Sequence, residues 1–88
     1  MDTLSKHRVT LDALDQQIIT LLAQRIAVAH KINVIKKRRG LSALDRTRWL
    51  HVLRTRQAYA QSLGLEKALV AKLYRVIHAY VLTSHTKV

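Results

Sequence analysis

Cysteine, proline and phenylalanine are all absent from this 88-residue chain, and glycine occurs only as Gly40 and Gly64. Without cysteine there can be no disulfide framework, thiolate metal site or thiol nucleophile. Without proline, and with glycine at two positions only, nothing interrupts long stretches of helix. Aromatic residues are few: Trp49, Tyr59, Tyr74 and Tyr80 are scattered through the chain, so no row of base-stacking platforms is indicated. Negative charge is scarce as well, with five acids against sixteen Lys and Arg and a net charge of +11. No stretch reads as long and apolar enough to span a bilayer, and residues 1–8 lack the apolar run of a signal peptide. A cytoplasmic protein with no membrane partner is therefore expected.

What the chain does contain is Leu, Ile, Val and Ala at helical spacing. The expected fold is all-α, a single domain over residues 1–88 in which the two glycines separate one long helix from two shorter ones. The first helix should run from about residue 4 to residue 38 and stop at Gly40. Ser42-Ala43-Leu44-Asp45 reads as an N-cap with an acid three residues on, opening a second helix that carries Leu44, Leu50, Val52, Leu53 and Ala60 and ends at Gly64. A third helix begins near Leu65-Glu66, with Leu69, Val70, Leu73, Val76, Ile77, Tyr80 and Val81 on its apolar face and a polar tail over residues 83–88 that is expected to fray. A first helix of about 50 Å cannot be covered by two shorter helices of the same chain, so an intertwined homodimer is expected.

Charge on the first helix is placed where apolar residues belong. Leu4, Leu11, Ile18, Leu22, Ala29 and Ile32 recur at steps of three, four and seven residues, and Arg8, Asp15, Arg25 and Lys36 complete the same stripe. Arg25 and Lys36 return to almost the same side of the helix, about 16 Å apart along its axis. A guanidinium that takes a carboxylate bidentately and an ammonium acting as a point charge would together suit a small dicarboxylate. Lone cations on such a stripe more often snorkel from a seam. The pair together with Arg8 and Arg46 favours an anion site, and the basic balance would draw a small polyanion toward it. Lys36-Lys37-Arg38-Arg39 sits at a helix C-terminus, where the macrodipole favours cations. A basic, nucleic-acid-binding helical dimer is the non-enzyme alternative; Arg25 on the inner stripe argues against it, since phosphate-tracking cations must be exposed. No metal site is expected: His78 and His85 are seven residues apart and could share a face, but His7, His30 and His51 are scattered and no acid completes a ligand set. Asp15 is expected to be paired structurally, and Trp49 and the tyrosines to pack in the core or a seam.

Leu11-Asp12-Ala13-Leu14-Asp15, Leu21-Leu22-Ala23-Gln24-Arg25, Lys36, Asp45-Arg46 and Leu63-Gly64-Leu65 together resemble the all-helical AroQ class of chorismate mutases over nearly the whole chain. The resemblance implies an interlocked homodimer of three-helix chains, each site lined mostly by one chain and completed by an arginine from its partner. It implies chorismate as substrate, prephenate as product, no cofactor and a place in the shikimate pathway of aromatic amino acid biosynthesis. Carried over residue by residue, Arg8 is the arginine donated in trans, Arg25 and Lys36 are the catalytic cations, and Arg46 assists near the ring. Arg8 lies about 25 Å from Arg25 along a straight helix, too far to share a small ligand within one chain.

Three positions depart from the family pattern, two of them at the start of helix two. Thr47 stands where mutases usually carry the glutamate that holds the ring hydroxyl, and Ala43 replaces an upstream aspartate. On helix three the family's glutamine or glutamate, a second donor to the ether oxygen, is met by His85 in a gapless reading and by Ser84 after a one-residue slip. Thr47, Ser84, His85 and Val81 are accordingly further site candidates. Isochorismate-pyruvate lyases also lack the helix-two glutamate, and Val76-Ile77-His78-Ala79-Tyr80 resembles their third helix. A 4-amino-4-deoxychorismate mutase and an inactive homologue are the remaining alternatives.

Overall fold

The computed structural model describes residues 2–83, and among them there are three helices and no strand. Helix α1 spans Thr3–Arg38, α2 spans Arg46–Ser62 and α3 spans Lys67–Thr83. The long helix starts on a side-chain cap: the Asp2 carboxylate accepts from the Ser5 backbone N–H at 2.7 Å. These bonds to Ser5 hold the Asp2 carboxyl below its ordinary range.

Both glycines end helices by the same device. Gly40 (φ 68) and Gly64 (φ 84) turn the chain into the left-handed region. Gly40 N–H then donates to Lys37 C=O and Leu41 N–H to Lys36 C=O, while Gly64 N–H donates to Gln61 C=O and Leu65 N–H to Ala60 C=O. Each pair of bonds is a Schellman closure, which satisfies carbonyls that the helix end would otherwise leave unpartnered. Three cations, Lys36, Lys37 and Arg38, occupy the last turn of α1, in accord with the macrodipole.

The start of α2 differs from the sequence expectation. Asp45, not Ser42, is the N-cap, its carboxylate accepting from Arg48 N–H at 3.0 Å. Ser42 instead accepts from Leu44 N–H at 3.2 Å, a local turn within the connection, and Leu44 lies outside the helix. An aspartate is at least as good a cap as a serine, and the later start leaves residues 39–45 as a longer connection beside the end of α1. Helix three also begins slightly later than expected, and Thr83 belongs to it. Residues 84–88 of the expected tail lie outside the described residues.

Helices α2 and α3 form a hairpin through Gly64, and its core is small: Val52 and Ala60 from α2 meet Val70, Ala71, Ile77 and Val81 from α3. A hydrogen bond from the Gln57 amide to Lys67 C=O, at 3.1 Å, ties the hairpin at its turn. Helix α1 touches α3 over a short length and has no buried residue at all. Its apolar stripe stands open, with Ile18 61%, Ile19 66% and Leu21 63% exposed. The radius of gyration, 16.4 Å, exceeds the roughly 12 Å of a compact chain of this length, because α1 alone sets the 57 Å long axis.

One further expectation is corrected by α1. It contains an 18-residue window of mean hydropathy 1.4, so by length and composition this helix could cross a membrane. The same apolar content is what a helix seam requires, and the cations Arg25, Lys31 and Lys36 lie in the C-terminal half of the same helix.

Candidate functional site

A cleft of about 210 Å³ lies where the C-terminal half of α1, the connection to α2 and the facing sides of α2 and α3 converge. Helix α1 supplies Arg25, Ala29, Ile32, Asn33 and Lys36 to its wall, a run of positions at helical spacing on one side. The connection supplies Ala43 and Asp45, α2 supplies Arg48, Trp49 and Val52, and α3 supplies His78, Val81 and Leu82. Three cations thus line the cleft against one acid, and the Asp45 carboxylate is already engaged in capping α2. Apart from Asn33 and His78 the rest of the lining is apolar or aromatic, which strengthens electrostatic attraction for any anion that enters.

Arg25 and Lys36 are both partly buried, and each is held by a specific neighbour. The Arg25 guanidinium lies over the Tyr74 ring, 5.4 Å from its centroid, a cation–π contact that orients the fork without consuming its hydrogen-bond donors. The Lys36 ammonium donates to Ala43 C=O at 3.2 Å, tying the last turn of α1 to the connection. An ammonium has three N–H donors, so this bond leaves two for a ligand.

Trp49 and His78 stack face to face across the α2–α3 hairpin, ring centroids 4.1 Å apart and planes 16° from parallel. Burial against this wall pushes the His78 imidazole below its ordinary pKa, and the positive charges of Arg25 and Lys36 push it further the same way. The neutral form is therefore favoured in the empty cleft.

The candidates read from the sequence separate into distinct places. Arg25, Lys36 and Val81 come together in the cleft wall. Arg46 is the first residue of α2 and is exposed, and neither it nor Thr47 lines the cleft; Arg48, one turn into the helix, does. Arg8 is exposed near the start of α1, far from the cleft of its own chain. Ser84 and His85 lie outside the described residues. Among the described residues no group of three His, Asp or Glu side chains could hold a metal ion.

Among the polar and aromatic lining residues, Asn33, Asp45, Arg48, Trp49 and His78 are not among the site candidates the sequence offers. Asn33 could have been found, since it falls between Ala29 and Lys36 at helical spacing. Arg48 and Trp49 follow the true cap of α2 by three and four residues, a register hidden while the helix start was placed at Ser42. His78 stands out in the sequence only within the segment that resembles the lyases' third helix and as one of the histidines without a ligand set, and its stack on Trp49 depends on how two helices meet.

Beside the cleft, Leu21, Gln24 and Val28 form a shallow groove together with Arg25, Ala29 and Ile32, so the site opens directly onto the exposed stripe of α1. A second groove on the same helix lies further toward its N-terminus, along Ala13, Gln17 and Leu21. No curated protein and no solved structure matches the chain significantly. The model of the chorismate mutase type II family matches residues 7–86, nearly the whole chain, and the protein belongs to that family.

Proposed function

We propose that the cleft converts chorismate to prephenate in a homodimer, with Arg25 and Lys36 as its central cations. The observation that carries this reading is the convergence of those two partly buried groups on one small cleft in a chain of this family. The reaction is a pericyclic shift, so it needs no nucleophile and no acid–base pair. It needs a wall that holds the compact conformer and donors placed where charge develops. Arg25 takes a carboxylate through its fork, and Lys36 donates to the ether oxygen as its bond to carbon breaks. A single preorganised donor of this kind is worth about 3 kcal/mol in the transition state.

Completion of the site requires a second chain. The exposed apolar stripe of α1 continues from the open side of the cleft, so a partner α1 laid along it would cover both the stripe and the cleft mouth. In such an arrangement Arg8 of the partner supplies the cation that its own chain holds too far away. Arg48, which lines the cleft, is the α2 cation placed to meet the second carboxylate in preference to Arg46 two residues earlier, and alanine variants of each distinguish them by their effect on KM. The protein acts in the cytoplasm on a free dianion, without nucleic acid, membrane or cofactor.

A second reading, isochorismate-pyruvate lyase, is favoured by Thr47 in place of the usual glutamate and by a third helix that brings His78 into the cleft. Incubation with chorismate and, separately, with isochorismate decides between them. Prephenate is the expected product; salicylate with pyruvate would replace the mutase by the lyase. No turnover of either would remove both, and would leave 4-amino-4-deoxychorismate as the substrate to try.

A further inference from the structure

We propose that His78 is a proton-coupled contact of the anion site: neutral while the cleft is empty, and taking up a proton when a dicarboxylate occupies it. This rests on the reading of the cleft as a dianion site and adds a residue to it. The placement comes first. His78 lines the same cleft as Arg25 and Lys36 and is held flat against Trp49, so its ring cannot turn away without breaking the stack.

The charges that face it act in one direction when the cleft is empty and in the other when it is filled. Arg25 and Lys36 from α1 oppose a third positive charge, and Arg48 from α2 lines the same cleft. Asp45, the one acid there, is engaged with the Arg48 backbone. On its own helix, Tyr74, one turn earlier, lies beneath the Arg25 guanidinium, and Arg75, three residues earlier, is exposed to solvent. A bound dianion neutralises the two α1 cations and displaces water, and a carboxylate close to an imidazole favours its charged form. The indole face accepts an imidazolium as readily as an imidazole, because a cation over Trp is attracted by the ring quadrupole. Protonation therefore strengthens the stack instead of disrupting it, and the wall keeps its shape.

The consequence is that binding draws in a proton. Affinity for a dicarboxylate should rise as pH falls from the bound-state pKa of His78 to its free-state value, by at most about tenfold per pH unit for one proton. A neutral wall above that range and a cationic wall below it would also make the site more selective for a dianion over a monoanion at lower pH.

The test uses the full chain and a bicyclic dicarboxylate mimic of the transition state. Calorimetric titration near neutral pH in buffers of different ionisation enthalpy measures the protons taken up on binding. A substantial fraction of one proton is expected for the unaltered protein and close to none for His78→Gln, whose amide can still lie against Trp49. Independently of any variant, the imidazole resonance with a nuclear Overhauser contact to the single tryptophan should titrate at higher pH with the mimic bound than without it. Tight binding with no proton uptake and an unmoved His78 titration overturns the inference while leaving the dianion site standing. Failure of the mimic to bind overturns both.

Discussion

Lys36 lines the cleft and also holds the connection to α2. Its ammonium anchors the connection through Ala43 C=O, yet that bond is exposed and joins segments that the Schellman closure at Gly40 already holds. Lys36→Ala should therefore lower turnover by at least ~100-fold while leaving the helical circular-dichroism signal intact. Unchanged turnover would take Lys36 out of the reaction. Tyr74→Leu should act more gently, raising KM several-fold through a less well oriented Arg25, since a cation–π contact that is still partly solvated is worth about 1 kcal/mol. His78 ties stability to pH. Its folded-state pKa is depressed, so the unfolded chain binds the proton more readily, and the contribution to stability is present above the ordinary value of about 6.5 and lost as pH falls through the folded value. Urea unfolding of the ligand-free protein at pH 7.5 and pH 5.5 should show this loss, and His78→Gln should reduce it.

At the scale of the element, the helix ends govern the cleft. Gly64 has φ 84 with no atom within 4 Å of an added Cβ, so Gly64→Ala meets backbone strain and no steric clash. A cost of about 1 kcal/mol is expected from the left-handed conformation alone, measurable by denaturant unfolding at fixed protein concentration. The same change at Gly40 also shifts the connection that carries Ala43 and Asp45 to the cleft, so it should raise KM as well as lower stability. Asp45 couples cap and site: its carboxylate starts α2 in the register that turns Arg48, Trp49 and Val52 toward the cleft.

For the whole molecule, the dominant fact is a long helix with nothing buried along it. Exposed residues such as Ile18, Ile19 and Leu21 would each contribute about 1.5–3 kcal/mol if a second chain covered them fully. Ile18→Glu combined with Leu21→Glu should accordingly convert a dimer to monomers, seen by sedimentation, and should abolish turnover although neither residue is charged or catalytic. Wild-type behaviour of that variant would show that the stripe serves some other purpose. The net charge of +11 adds a field over the whole surface. Raising ionic strength should therefore increase KM for a dianion more than it changes kcat.

Three helices, their glycine stops and the stripe that sets Arg25 and Lys36 on one face were all legible in the linear chain, because helical period, capping chemistry and the absence of breakers act over a few residues at a time. The start of α2 differs from the expectation because Ser42 and Asp45 are both good caps and lie three residues apart. What tertiary structure alone decided is which side chains from different helices meet. Arg48 rather than Arg46 reaches the cleft, Tyr74 lies under Arg25, and His78 stacks on Trp49, since these contacts depend on how α2 packs on α3 and how that hairpin leans against α1, and not on any spacing within one helix.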